Sequence, residues 1–154
     1  MIIIRYYRPG DDFAVRKLER RAVQEIGAWR GDGPWDDELR DIEASFSGDR
    51  GCFLVATDSE TGRLVGIGAW RRAGRGTAEI TRMRVARDRQ GQGVGQELLE
   101  ALEQTASGSG IGRLVLHTSS IQKAAQRFYE AAGYSLIKLS RIGRFRVLAM
   151  GKTL

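Results

Sequence analysis

Glycines at 91, 93 and 95, with Gln90, Gln92 and Gln96 among them and Arg87 and Arg89 just before, stand where a strand-like run gives way to the helical pattern QELLEALEQTAS. Glycine lets backbone N–H groups approach a ligand with no Cβ in the way. The start of a helix adds unpaired amide donors and the positive end of its dipole. Together they make an anion site, suited to a phosphate or pyrophosphate. Spacing separates the chemistries such loops serve. A Walker loop needs Gly-Lys followed by Ser or Thr, which this loop lacks. A dinucleotide fingerprint needs G-x-G-x-x-G near a first strand, whereas here the third glycine comes one residue early and the unit sits mid-chain. The pattern that remains is Gln90-x-x-Gly93-x-Gly95.

The strand that must carry this loop covers residues 78 to 85. Its apolar side chains fall at Ile80, Met83 and Val85, and the step from 80 to 83 breaks the period of two expected for one face of a strand. A β-bulge between them restores the phase and leaves backbone groups of Met83, Arg84 and Val85 unpaired by the sheet. The helix after the loop runs from Val94 to about Ser107. GSGIGR then leads to Leu114-Val115-Leu116, whose continuous apolar character predicts a strand covered on both faces. Strand, crossover helix and strand form a βαβ unit, so the strands near 78–85 and 113–117 are expected to be parallel neighbours or close to it.

Outside that unit, Ile2 to Tyr7 reads as a first strand ended by Pro9-Gly10. Asp11 or Asp12 caps a helix with apolar positions Val15, Leu18, Ala22 and Ile26, stopped at Gly27. A turn-rich segment, AWRGDG, leads to a second helix opened by Pro34, with Trp35, Leu39, Ile42 and Phe46 at helical spacing. Strands at Cys52–Thr57 and Arg63–Arg71 flank the turn DSETG, and Gly74 and Gly76 mark the next turn. Ile121, Ala124, Ala125, Phe128 and Ala132 define a last helix ended by Gly133. A final hairpin joins Tyr134–Arg141 to Phe145–Lys152 across Ile142-Gly143-Arg144.

At 154 residues, the chain is expected to form one domain, residues 1–154. No apolar run approaches the ~20 residues of a membrane span, and the opening MIIIRYYRPG lacks the features of a signal peptide, so a cytoplasmic location is expected. The single cysteine, Cys52, can form no internal disulfide and stands in no metal-ligand cluster, so no metal is expected. A net charge of +6 favours anionic partners, nucleic acid among them. The arginines are interleaved with acids, however, and no helix-turn-helix or stacking motif accompanies them. Their densest groups, Arg71, Arg72 and Arg75, then Arg82, Arg84, Arg87 and Arg89, flank the glycine loop.

Gln90-x-x-Gly93-x-Gly95 preceded by EITRMRV and followed by QELLEALE, with Ala125, Phe128-Tyr129 and Gly133-Tyr134 further on, resembles the GCN5-related N-acetyltransferase (GNAT) superfamily over essentially the whole chain. The resemblance implies an α/β (α+β) GNAT-like fold: a mixed central sheet of about six to seven strands, about four flanking helices, and a splayed parallel strand pair that holds the cofactor. It implies acetyl-CoA as that cofactor. The pantetheine arm would lie along the backbone of Met83, Arg84 and Val85, and the pyrophosphate against Gln90, Gly91, Gln92, Gly93, Val94, Gly95 and Gln96. The implied reaction is direct transfer of an acetyl group, in a ternary complex, to a primary amine of a small molecule or a protein. A homodimer is a further possibility that the resemblance carries.

Such a transfer sets a proton problem. An alkyl ammonium has a pKa of about 10.4 and a thiol about 8.5, so at neutral pH the nucleophile is in the wrong form and the leaving group benefits from a proton. The resemblance assigns Glu79 to receive the amine proton; the plainer reading is a strand glutamate paired with a neighbouring arginine. It assigns Tyr129 to the coenzyme sulfur as proton donor; the plainer reading is a core aromatic sharing a face with Ile121 and Ala125. Gln122 stands where relatives place an asparagine that contacts the coenzyme, and Ser119-x-x-Gln122 also reads as a capping box. His117, the only histidine, is of the residue type suited to a base near neutral pH but sits at the end of a strand expected to be buried. Trp29, Arg30 and Trp35 lie in the segment that covers the acceptor in such enzymes, and are equally readable as packing residues. Two other functions stay open: a CoA-binding regulatory domain without chemistry, and a basic nucleic-acid module.

Overall fold

The computed structural model describes residues 1–25 and 37–154. Seven strands form one sheet in the order β1-β2-β3-β4-β5-β7-β6. They are β1 (Ile2–Tyr6), β2 (Gly51–Asp58), β3 (Leu64–Gly74), β4 (Thr77–Val85), β5 (Arg113–Ser119), β6 (Ser135–Ile142) and β7 (Phe145–Thr153). Every neighbouring pair is antiparallel except β4 and β5, which are parallel and joined by the expected crossover helix. Among the described residues there are five α-helices rather than about four: α1 (Asp12–Glu25), α2 (Asp37–Arg40), α3 (Ile42–Phe46), α4 (Val94–Gly108) and α5 (Lys123–Ala131).

The core follows the apolar periodicity. Val94, Leu98, Leu99, Leu102 and Ala106 of α4 are buried and pack on β2, β3 and β4. Burial of each of the larger side chains contributes roughly 1.5–3 kcal/mol. β3 is buried without a break from Val65 to Trp70, so both sheet faces are covered there, by α4 and by α1, the helices that contact it. Val15 and Leu18 are the buried apolar positions of α1, with Glu19 buried beside them. Arg5 clamps the start of that helix with two hydrogen bonds of 2.8 Å to Asp11.

Three expectations need correction. The helix expected to run through Leu39, Ile42 and Phe46 is broken at Asp41, whose backbone (φ −144, ψ 83) leaves the helical region. The Asp41 side chain accepts the Ala44 N–H at 3.0 Å and starts a new helix, the usual effect of a short acidic side chain that can bond its own backbone. Leu39, Ile42 and Phe46 are nonetheless all buried. Secondly, β5 is not covered on both faces: Leu114, Leu116 and Thr118 are buried while His117 is exposed, because one face of the strand borders a cleft. Thirdly, Ile121 precedes the last helix and is 64% exposed, so α5 begins two residues later than its apolar pattern indicates. Ile26, Gly27, Trp29, Arg30, Pro34 and Trp35, all given roles from the sequence, lie outside the described residues.

Candidate active site

The parallel ladder between β4 and β5 pairs Thr77 with Arg113, Ala78 with Leu114 and Glu79 with Val115, and then ends. Both strands continue, β4 to Val85 and β5 to Ser119, so they diverge beyond Glu79. On the other side of β4 the bulge expected from the sequence is present. Ala69 pairs with Thr81 and Ile67 with Arg84, two steps in β3 against three in β4. The extra residue is Arg82, at φ 57, a left-handed conformation that costs a non-glycine residue about 1–2 kcal/mol.

Arg82 is held there by two helices. Its Nη1 donates to Glu19 Oε1 of α1 at 2.8 Å, and its Nε donates to Glu38 Oε1 of α2 at 2.7 Å. Glu19 also accepts from Arg84 Nε at 2.9 Å. Burial pushes the Glu19 carboxyl up, but the Arg84 and Arg82 guanidiniums outweigh it and hold the group below the usual carboxylate range. The diverging strands, α1, α2 and α5 enclose a cleft of about 1150 Å³.

At the far end of β4 a tight 3-10 turn, Arg87–Arg89, leads into the glycine loop. The turn is clasped from the β2–β3 hairpin. Arg63 makes a two-pronged contact with Asp88 at 2.7 and 2.8 Å, and Arg89 reaches Asp58 at 2.6 Å. Arg89 is therefore committed to holding the loop. These bonds, led by the Arg89 and Arg63 guanidiniums, depress the Asp58 and Asp88 carboxyls to about 2. Since both pKa values are lowered on folding, the stabilisation is full above the unfolded carboxylate range. It fades as pH falls from about 4 through about 2. Amide exchange of residues 86–93 should accelerate in that window, and Asp58→Asn should move the acceleration to neutral pH; unchanged exchange in the variant would count against the clasp.

Gly91 (φ 76) and Gly93 (φ 87) are both left-handed, and Gly93 is the N-cap of α4 with no side chain available to cap it. The first helical bond runs from Glu97 N–H to Gly93 O at 3.0 Å, so the amides of Val94, Gly95 and Gln96 precede the ladder. The glutamines of the loop are engaged within the protein. Gln90 Nε2 donates to Val85 O, Gln92 Nε2 to Asp88 O and Gln96 Nε2 to Glu100 Oε1, each at 3.1 Å. Backbone amides are thus the donors the loop offers. Gly93→Ala should weaken binding of an anionic ligand about 5- to 30-fold, the equivalent of the left-handed penalty of about 1–2 kcal/mol. Calorimetry checks this, and an unchanged Kd would mean the loop is not held in this form by its ligand.

The structure brings Glu79, Tyr129 and Gln122 to the same cleft, with Met83, Arg84, Val85 and Gln90 along its wall. Glu79 is both partnered and accessible: Oε1 accepts from Arg71 Nη2 at 2.9 Å, and Oε2 lies 3.4 Å from His117 Nδ1. Tyr129 sits edge-on to Phe128 and Tyr134, with ring centroids 5.1 and 5.8 Å away. Burial raises its phenol to about 12, Arg84 opposing the shift. Gln122 does reach back to the strand end, but not as the capping box expected. Its Oε1 accepts from the Ser119 N–H, the Ser119 hydroxyl and the Thr118 hydroxyl at 3.0–3.2 Å, while α5 begins only at Lys123. Trp29, Arg30 and Trp35 lie outside the described residues.

Comparison with known proteins decides what this arrangement belongs to. The sequence pattern of the acetyltransferase (GNAT) family matches residues 14–134. The chain belongs to the GNAT family of acetyltransferases. No curated protein sequence matches it significantly. Among solved structures, an acetyltransferase from Streptococcus agalactiae superposes with a TM-score of 0.84 at 23% identity, covering 99% of this chain and 98% of that one. The ribosomal-protein-S18-alanine N-acetyltransferase of Escherichia coli gives 0.80 at 22% identity, over 99% and 94%. A Salmonella typhimurium protein, yncA, solved with its cofactor acetyl-CoA, gives 0.80 at 23% identity, over 99% and 93%.

The GNAT coenzyme is acetyl-CoA, and the residues present fit it. Of the three residues expected to be unpaired by the sheet, Arg84 and Val85 do pair with Ile67 and Gly66 of β3 and only Met83 has no partner there. The bulged half of β4 is open on the β5 side alone, where no strand lies opposite, which leaves backbone for an extended amide-bearing arm to pair with. Thr81, on the cleft wall, carries a buried hydroxyl with no partner among the described residues. The left-handed glycines and the start of α4 offer amides to a diphosphate. Sequence reasoning did not single out Glu19 and Glu38, and it named Arg71 only within a basic group and not as the partner of Glu79. For Glu19 the signal was present: it lies one residue after Leu18 and four after Val15 on the buried stripe of α1, where a charge persists only if paired.

Proposed function

We propose that residues 1–154 act as one N-acetyltransferase domain, moving an acetyl group from acetyl-CoA to a primary amine by direct attack in a ternary complex. The observation that carries this reading is the placement of Glu79 at the last rung of the parallel pair, where the strands begin to part, with the glycine loop at the other end of β4. A carboxylate at the apex of the cleft draws an ammonium group to the reacting end. Bound acetyl-CoA supplies an activated thioester and leaves as the thiol. The phenol of Tyr129, raised to about 12, keeps its proton at neutral pH and donates a hydrogen bond where sulfur charge develops. Backbone amides of Val94, Gly95 and Gln96 hold the diphosphate, and the bulged backbone from Met83 to Val85 holds the arm. The only cysteine, Cys52, is buried in β2 away from this cleft, and burial pushes its thiol up, so it is no candidate for a covalent acyl carrier.

The acceptor is a small molecule or a protein amine. The Escherichia coli neighbour, named for the alanine of a ribosomal protein, puts a peptide with N-terminal alanine in the test panel beside a free amino acid, a polyamine and an aminoglycoside. Thiol release from acetyl-CoA is expected with at least one of these. Absence of coenzyme A binding in calorimetry on monodisperse protein would overturn the reading.

A further inference from the structure

We propose that His117 is a catalytic residue of this chain, its Nε2 taking the proton of the acceptor ammonium while Glu79 holds the imidazole from the Nδ1 side. The inference rests on the acetyl-transfer reading and goes beyond it in naming where the amine proton goes. Glu79 pairs with Val115 across the last parallel rung, so the two side chains share a face, and His117, two residues on, shares it as well. His117 is thus the first β5 side chain on that face beyond the end of the ladder. It lines the cleft with its side chain 51% exposed, whereas that of Glu79 is 20% exposed. Nδ1 lies 3.4 Å from Glu79 Oε2, and the other carboxylate oxygen is fixed by Arg71 at 2.9 Å. Arg71 also reaches Glu38 at 3.3 Å, so the carboxylate is braced from β3 and α2.

This arrangement divides the work. A carboxylate that takes one edge of an imidazole sets its tautomer and orientation and stabilises the imidazolium, leaving the other nitrogen as the base. An imidazole is by type a stronger base than a carboxylate and so a closer match to an alkyl ammonium. The ammonium gives one proton to His117 Nε2, and the imidazolium passes it to solvent through its exposed edge. The nitrogen lone pair forms the C–N bond as the C–S bond breaks, and the second nitrogen proton ends on the departing sulfur.

Because His117 is the only histidine, its imidazole nitrogen resonances need no assignment. At alkaline pH the neutral ring should carry its proton on Nδ1 in the wild type and on Nε2 in Glu79→Ala. Kinetically, His117→Gln should lower kcat/KM by at least about tenfold for the alkylamine found in the panel. The loss should be under about threefold for hydroxylamine, which is already deprotonated at neutral pH. Coenzyme affinity by calorimetry should not move. Equal losses for both nucleophiles, no loss for either, or a wild-type ring protonated on Nε2 would overturn the assignment. Thiol release that survives His117→Gln unchanged sinks this proposal alone. A wild type that neither binds coenzyme A nor releases thiol sinks the transferase reading, and this one with it.

Discussion

Glu19→Ala should destabilise the fold by about 3–5 kcal/mol, the usual cost of removing one partner from a buried ionic cluster. Glu19 is 4% exposed and serves two guanidiniums, those of Arg82 at 2.8 Å and Arg84 at 2.9 Å. The intact cluster need not be worth much relative to a hydrophobic replacement. What costs energy is leaving two arginines half-buried with fewer counter-charges. Against a typical stability of about 5–15 kcal/mol this is a large fraction, and a denaturant titration would register it as a lower midpoint. The pH dependence has a definite sign. The carboxyl is held below its unfolded value of 4.5, so its contribution is full above that pH and is lost as pH falls through the folded value. The wild type should therefore lose stability on acidification below about 4.5, and the variant should lose less. Arg82 gives a second readout. Without Glu19 it is less firmly held at φ 57, so the bulge should relax and coenzyme affinity should fall with stability. Adding Arg82→Gly, which accepts φ 57 freely, should recover part of the affinity. A loss below about 1 kcal/mol in Glu19→Ala would mean that the cluster does not hold the bulge.

That cluster also marks the limit of what the sequence discloses. The strands, the crossover helix and the glycine loop are local signals: apolar period, glycine spacing and turn residues, all read within a dozen residues. Even the bulge is local, because an extra residue between Ile80 and Met83 shows as a broken alternation, and the structure places it at Arg82. The partners that hold it are 44 and 63 residues away in the chain, and no period links Glu19 or Glu38 to Arg82. β5 fails for a different reason. Leu-Val-Leu looks the same whether a strand is covered by protein on both faces or by protein on one and a ligand cleft on the other. A strand taken as buried leaves His117 no access to a ligand, whereas the open face of β5 puts it on the cleft wall. α2 and α3 show local chemistry overriding period, because Asp41 caps a new helix where the apolar spacing continues through it.

Tyr129→Phe should lower kcat about 10²- to 10³-fold, with coenzyme affinity unchanged. The substitution removes one oxygen and keeps the ring, whose packing against Phe128 and Tyr134 and whose place on α5 are steric and apolar. Stability should therefore hold to within about 1 kcal/mol, which separates this variant from Glu19→Ala. The phenol at about 12 is a weaker acid than a free thiol near 8.5, so complete transfer to a relaxed thiolate runs uphill. On the proposed reading its service would accordingly be to donate a strong hydrogen bond while the C–S bond is breaking, when charge on sulfur is largest and least solvated. An interaction made only then lowers kcat and kcat/KM together and leaves ground-state binding untouched. The effect should also shrink for acyl thioesters whose thiol is more acidic, since such leaving groups need less help. Turnover of Tyr129→Phe within about twofold of the wild type would return Tyr129 to the apolar core and leave sulfur departure to another donor in the cleft.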